Sequence, residues 1–297
     1  MNTTPIAPGY ESLRSEYFDL LKKCLTASLY PESSNFPVYA RPGSRPFDFV
    51  RRALVGTLGK VNYRLYHVKP FNAETRERGL DWPGFGYSMI GLKRLSNLQE
   101  CIETVLRENV PGDLIETGAW RGGACIFMRA VLRACDSERT VWVADSFEGL
   151  PSATAEPDRE LVRIAPSCDL AGHPYTSASL EEVEENFRRF GLLDGQVKFL
   201  KGWFRDTLPS APIEKLAILR LDGDLYESTM DVLTNLYGKV SDGGFVIVDD
   251  YHSWSTCRRA VDEFRARHEV REPIAEIDGS GVYWRRGWTG TPAGRDK

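Results

Sequence analysis

The sequence predicts an α/β protein: a doubly wound sheet preceded by a helical N-terminal extension. Three observations carry this. From about residue 86 onward, short apolar runs alternate with amphipathic stretches of about a dozen residues, the pattern of strands joined by helical crossovers. A glycine-rich turn follows the first run, in "DLIETGAWRGGA". Two later runs, "LRLDGDLYEST" and "GGFVIVDDYH", end abruptly in carboxylates, at the rim where such sheets bind ligands.

Residues 1–85 lack this regularity. Helical stretches in "YESLRSEYFDLLKKCLTASLY" and "FDFVRRALVGTLGKV" are broken by "PESSNFPVYARPGSRP", so this part reads as an N-terminal extension. The regular domain spans 86–297. It begins with a loop and an amphipathic helix in "GFGYSMIGLKRLSNLQECIETVLRENV", closed by Pro111-Gly112. "DLIETGA" is the first strand and "RGGACIFMRAVLRAC" its helix; "RTVWVADSF" is the second strand. "SATAEPDRELVRIAPSCDLAGHPY" reads as a loop. "SLEEVEENFRRFGLL" is a helix, with Ser179 and Glu182 at capping-box spacing. "QVKFLKGWF" and "LAILRLD" are strands, "STMDVLTNLYGKV" a helix, "FVIVDD" a strand and "CRRAVDEFRARH" a helix. "AEIDGSGVYWRR" closes the domain as a strand or hairpin.

Composition excludes several function classes. The 297 residues suffice for a large core, and 42% apolar with 27% charged residues is ordinary for a globular protein. A net charge of −4 with scattered basic residues gives no nucleic-acid footprint. No apolar run approaches the roughly 20 residues of a membrane span. The first residues lack the basic-then-apolar order of a secretory signal. Six cysteines without metal-like spacing suit reduced thiols, so the expected location is cytoplasmic.

The strand-one turn is not a dinucleotide fingerprint, because Trp120 stands where the second glycine belongs. Gly118 permits the turn, and a turn serving packing alone is the simpler alternative. Glu116 ends the first strand and Asp145 the second, where an acid can accept from both hydroxyls of a ribose. Turn and acid together point to an adenosine-containing ligand. An acidic turn suits a cationic sulfonium with an amino-acid tail better than a pyrophosphate, and S-adenosylmethionine has that form. Trp203, after the third strand, can stack on an adenine face or belong to the core. Tyr226 and Trp254 can line a sugar site.

Asp222 and Asp224 lie two apart and face the same way in extended chain. Asp249 and Asp250 are adjacent and reach one point only if the strand ends there. Hard oxygen ligands without cysteine suit Mg²⁺, with Mn²⁺ or Ca²⁺ as relatives. The alternative is that these acids cap the following helices. His252 is a candidate base, substrate contact or metal neighbour, or an exposed loop histidine.

Five stretches, "PGDLIETGAWRGGACIFMRAVL", "VWVADSFEGLP", "VKFLKGWFRDTLP", "LRLDGDLYEST" and "GGFVIVDDY", resemble the macrocin O-methyltransferase family. "GYSMIGLKRL" is similar to that family's cofactor-covering segment. The resemblance runs over about residues 80–285. It implies a Rossmann-like class I methyltransferase fold using S-adenosylmethionine and Mg²⁺, with residues 1–85 as a lid shaping the acceptor site. Carried over by motif, Asp222, Asp249 and Asp250 are metal ligands and Asp224 the general base. Met89, Glu116, Gly118, Asp145, Ser146 and Trp203 surround the cofactor. The implied acceptor is a sugar hydroxyl of a glycosylated natural product, as in antibiotic biosynthesis, and the implied assembly a homodimer or higher homo-oligomer. Competing readings are a methyltransferase acting on a phenol or catechol, a Mg²⁺-dependent phosphatase with an Asp-x-Asp strand end, and a cofactor-free sugar-binding protein.

Overall fold

Apolar strands that must hide both faces account for the centre of the molecule. In the computed structural model, which describes residues 8–30, 34–37, 46–60, 63, 65–81, 83–173 and 175–288, the chain opens with α1 (Pro8–Leu25). A small antiparallel pair follows, β1 (Ser34–Pro37) with β2 (Tyr66–Lys69), with α2 (Pro46–Lys60) between its strands. This pair adds to the sequence reading: four-residue strands beside prolines carry no alternation to read. Next come α3 (Ala73–Glu77) and α4 (Gly91–Arg107). Phe18, Leu21 and Leu25 of α1 share one core cluster with Leu95 and Ile102 of α4 and with Phe127.

β3 (Asp113–Thr117), α5 (Gly123–Ala134), β4 (Val141–Asp145), α6 (Glu156–Ile164), α7 (Leu180–Arg189) and β5 (Val197–Lys201) wind outward in one direction. α8 (Phe204–Thr207) leads back, and β6 (Leu216–Leu221), α9 (Tyr226–Leu236), β7 (Val240–Val248) and α10 (Ser255–Arg267) wind the other way. β8 (Ala275–Glu276) and β9 (Val282–Arg285) end the sheet. The strand order is β5-β4-β3-β6-β7-β9-β8. β3 to β7 are parallel; β9 is antiparallel to β7, and β8 to β9. Alternating side chains separate two cores. Leu114, Val143 and Ile247 face the α1, α4 and α5 side, whereas Ile115, Ala144 and Val248 face α9 and α10. The winding direction changes between β3 and β6, the place where such sheets bind ligands.

The capping box is present: Ser179 Oγ accepts from the Glu182 amide at 3.2 Å, and Glu182 returns a carboxylate oxygen to the Ser179 amide. The stretch read as a loop after the second strand instead contains α6. Its Asp158, fully buried, accepts from the amides of Tyr226 (2.8 Å) and Glu227 (3.2 Å) at the start of α9. A helix N-terminus without its own side-chain cap is thereby satisfied from another element. Among the described residues, no helix is long and apolar enough to cross a membrane.

Candidate active site

A cleft of about 300 Å³ opens beyond the carboxyl ends of the strands, at the switch point. Met89, Glu116, Gly118, Asp145, Ser146, Trp203, Asp222, Asp224, Asp249 and Asp250 all line it. His252 does not. It lies in a neighbouring hollow, its Nε2 3.2 Å from Glu276 Oε1 and its ring edge-on to Tyr251. The structure thus brings the other expected residues together in the cleft and places His252 in the adjoining hollow.

The strand-one turn forms part of the cleft wall. Gly118 has φ +94°, and a Cβ there would lie 1.7 Å from the Asp222 carbonyl oxygen. The glycine is therefore required for close backbone packing of β3 against the end of β6. Asp145 holds the same turn. Its Oδ2 accepts from the amides of Ala119 (2.7 Å) and Trp120 (3.1 Å), and its Oδ1 from Phe147 (2.7 Å). Burial raises its pKa, and these amides pull it back. The carboxylate expected to face a ribose is thus engaged with backbone. Ser146 Oγ donates to the Gly149 carbonyl at 2.8 Å and accepts from the Glu148 amide at 3.0 Å. Met89 and Trp203 stand on the cleft wall. Glu116 is 2% exposed, and both its oxygens are taken, one by Arg220 and one by the Cys125 thiol. Burial pushes it up to about 7, against the pull of Arg220.

The strand-end acids line the same cleft. One oxygen each from Asp222, Asp224 and Asp250 lie within 4.8 Å of one another. Asp224 reaches this place from left-handed backbone, φ +57°, which an aspartate tolerates better than most residues. Burial, then the charge of Asp222, raises Asp224 to about 7. Burial and the charges of Asp224, Asp249 and Asp222 raise Asp250 well above the carboxylate range. Asp250 Oδ2 is buried without a partner among the described residues.

Asp249 departs from the expected arrangement. It is not one of the three gathered oxygens; its Oδ1 takes the Arg220 guanidinium and its Oδ2 the Arg94 guanidinium. Burial and repulsion from Asp222 raise Asp249 to about 6, with Arg94 and Arg220 opposing. Conversely Asp224, expected outside the ligand set, lies inside the group.

The two arginines were missed in the sequence. Arg94 looks like one more basic residue on an amphipathic helix, yet it is buried between Asp249 and Asp278. Arg220 had a visible signal: a lone cation in the six-residue strand "LAILRL", every residue of which is buried. An arginine in such a strand demands buried anions.

The family model described as Macrocin-O-methyltransferase (TylF) matches residues 14–286. The chain is 50% identical over 279 residues to the 8-demethyl-8-(2,3-dimethoxy-alpha-L-rhamnosyl)-tetracenomycin-C 4'-O-methyltransferase of Streptomyces olivaceus, covering 93% of this chain and 94% of that protein. It is 54% identical over 248 residues to the demethyldecarbamoylnovobiocin O-methyltransferase of Streptomyces niveus, covering 80% and 92%. The solved structure of the O-methyltransferase NovP shares the fold with a TM-score of 0.74 at 46% identity, over 92% of this chain and 99% of that one. With the model matched from residue 14, through the strand-one turn and both acid-ended strands, this chain belongs to the macrocin O-methyltransferase family of S-adenosylmethionine-dependent enzymes.

Proposed function

We propose that this protein methylates a sugar hydroxyl of a glycosylated natural product, using S-adenosylmethionine and a Mg²⁺ ion held by the strand-end carboxylates. The observation that carries the reading is the convergence of Asp222, Asp224 and Asp250 in a cleft that the strand-one turn also lines. The rhamnosyl 4'-O-methyltransferase relative supports a sugar acceptor.

The residues fit a divalent cation. All the donors are hard carboxylate oxygens, and Asp250 presents a buried oxygen that nothing in the described chain satisfies. Asp222 and Asp250 belong both to the set implied by resemblance and to the observed group, which supports them as ligands. The third place falls to Asp249 by the motif and to Asp224 by proximity. When bound, the ion lowers the pKa of an oxygen ligand and fixes it in place, and the cofactor supplies the electrophilic methyl. Around them, Met89 and Trp203 wall the cofactor end while Asp145 holds the turn beneath it. Asp224, if outside the ligand set, takes the hydroxyl proton, and its raised pKa suits that role. The lining residues keep acceptor oxygen and methyl carbon aligned, so proximity supplies much of the rate. α1 also exposes an apolar stripe of Tyr10, Leu13, Tyr17 and Leu20 at helical spacing, which supports the expected homo-oligomer.

The test is incubation with S-adenosylmethionine and a rhamnosylated aromatic polyketide, read by fragment mass spectrometry. A single methyl gain on the sugar fragment is expected; a gain on the aglycone instead would replace the sugar by a phenol. Activity should vanish in excess chelator and return with Mg²⁺, and full activity in chelator would remove the metal from the proposal. In a Mg²⁺ titration of Asp224→Asn, rescue at high Mg²⁺ assigns Asp224 as a ligand. A kcat fall of about 10²–10⁴ that no Mg²⁺ restores assigns it as the base.

A further inference from the structure

We infer that Arg220, which does not line the cleft, is the positioning residue that sets Asp222 for metal binding and methyl transfer. The inference rests on the proposed methyltransferase reading and names a residue that neither the motif nor the family description assigns.

Arg220 lies on β6, beside the point where the winding reverses, and is 1% exposed. Across β3 its register partner is Glu116. Its Nη1 donates to Glu116 Oε1 at 2.5 Å and to Asp222 Oδ2 at 2.7 Å, and its Nη2 donates to Asp249 Oδ1. One guanidinium therefore ties together the acids that close or follow three neighbouring strands, β3, β6 and β7. Burial disfavours its charge, and the three carboxylates more than reverse this.

The consequence falls on Asp222. Arg220 holds Oδ2, and a carboxylate oxygen of Asp222 lies within 4.8 Å of those of Asp224 and Asp250. Asp222 is the one of the three anchored acids that keeps an appreciable opening to the cleft, at 24% side-chain exposure. The planar fork is essential to this arrangement. Its two terminal nitrogens address different carboxylates at once, which a lysine ammonium cannot reproduce in the same plane. On the far side Asp249 is held by Arg94, whose Nη2 also donates to the carbonyls of Arg78 (3.3 Å) and Gly79 (3.2 Å) ahead of α4. Arg220 is thus braced through Asp249 against a second buried guanidinium, which limits its own freedom.

Residues that orient metal ligands typically change affinity or activity by about 10–100-fold when altered. The experiment compares wild type with Arg220→Lys. Mn²⁺ binding is followed by loss of the free-ion EPR signal, S-adenosylhomocysteine binding by calorimetry, and kcat and KM by methyl transfer. The expected result is a Mn²⁺ Kd raised and a kcat lowered, each by about tenfold or more. Cofactor affinity should stay within about threefold, and so should acceptor KM once the metal is saturating, since the remaining loss then falls on the transition state. Wild-type Mn²⁺ affinity and kcat, with only a lower melting temperature, would overturn the inference and make Arg220 a stabiliser of the sheet. If Arg220→Lys does not fold, the isosteric Glu116→Gln loosens Arg220 from β3. A Mn²⁺ Kd raised about threefold or more then supports the inference; an unchanged Mn²⁺ Kd, or a loss confined to the cofactor, overturns it. If wild type binds no Mn²⁺, the metal part of the proposed function fails separately. Arg220 is then judged by kcat against acceptor KM: a fall in kcat alone supports positioning, and wild-type kcat refutes it.

Discussion

Replacing Gly118 by alanine tests how tightly the cofactor turn and the acid rim are joined. The added Cβ would lie 1.7 Å from the Asp222 carbonyl oxygen. Close carbon–oxygen contacts run at about 3.3 Å, so backbone must move by about 1.6 Å. Neither neighbour is free to yield, since the Asp222 amide donates to the Thr117 carbonyl at 2.8 Å, immediately before the glycine. Left-handed backbone costs a non-glycine residue roughly 1–2 kcal/mol, and overpacking adds roughly 1–3 kcal/mol. The melting midpoint should therefore fall by about 5–15 °C. A misplacement of this size also costs on the order of 10² in kcat. Gly122→Ala is the internal control. It shares the left-handed conformation, φ +84°, but its Cβ would meet a Val183 methyl at 2.9 Å, a side chain that can turn aside. It should lose only the roughly 1–2 kcal/mol of the backbone conformation and keep kcat within about threefold. The assay is a pair of thermal melts with steady-state methyl transfer. Equal melting points and equal kcat for the two variants would refute close packing of β3 on the Asp222 backbone.

Asp145→Ala should lower the melting temperature as well as cofactor affinity, because three turn amides lose their acceptor; a loss of affinity with an unchanged melt would mean that Asp145 serves the ligand and not the turn. In the metal-free protein Asp224 titrates at about 7, above its ordinary 3.8, so between these values the folded state holds the extra proton. Stability should thus fall as pH rises from about 4 to about 7, while Mg²⁺ affinity climbs over the same window with proton release. Calorimetry in two buffers of different ionisation enthalpy reads this, and Mg²⁺ binding without proton release would contradict it. His252→Ala, outside the cleft, should keep kcat within about twofold; a hundredfold loss would bring the histidine back to the chemistry.

Much of this molecule was legible because its signals are local. Apolar strands separated by amphipathic helices gave the sheet, and Ser179 with Glu182 marked a helix start that the structure reproduces. The rim acids stood out because each closes an apolar run. What stayed hidden depends on distant contacts. Arg94 meets Asp249 across 155 positions, and nothing in "GLKRLSNLQ" separates it from a solvated cation. The polar "EPDRELVRI" conceals a helix whose Asp158 is buried only because the start of α9 needs an acceptor. Adjacency in sequence did not carry over into space: His252 is two residues from Asp250, but the two line different hollows.

The Asp158 contact gives the molecule a detachable part. The stretch around α6 contributes Leu150, Pro151, Leu170 and Thr176 to the cleft wall, yet it is fastened to α9 at a point that asks only for a carboxylate against two amides. Backbone amides are the same whatever side chains surround them. A replacement stretch therefore needs an aspartate in register to seat on α9, together with partners for Glu227 and Trp120, which Thr154 and the Tyr175 carbonyl supply here. A segment taken from a relative should seat without disturbing the acid rim only where it keeps these anchors, which a thermal melt of the chimera reads.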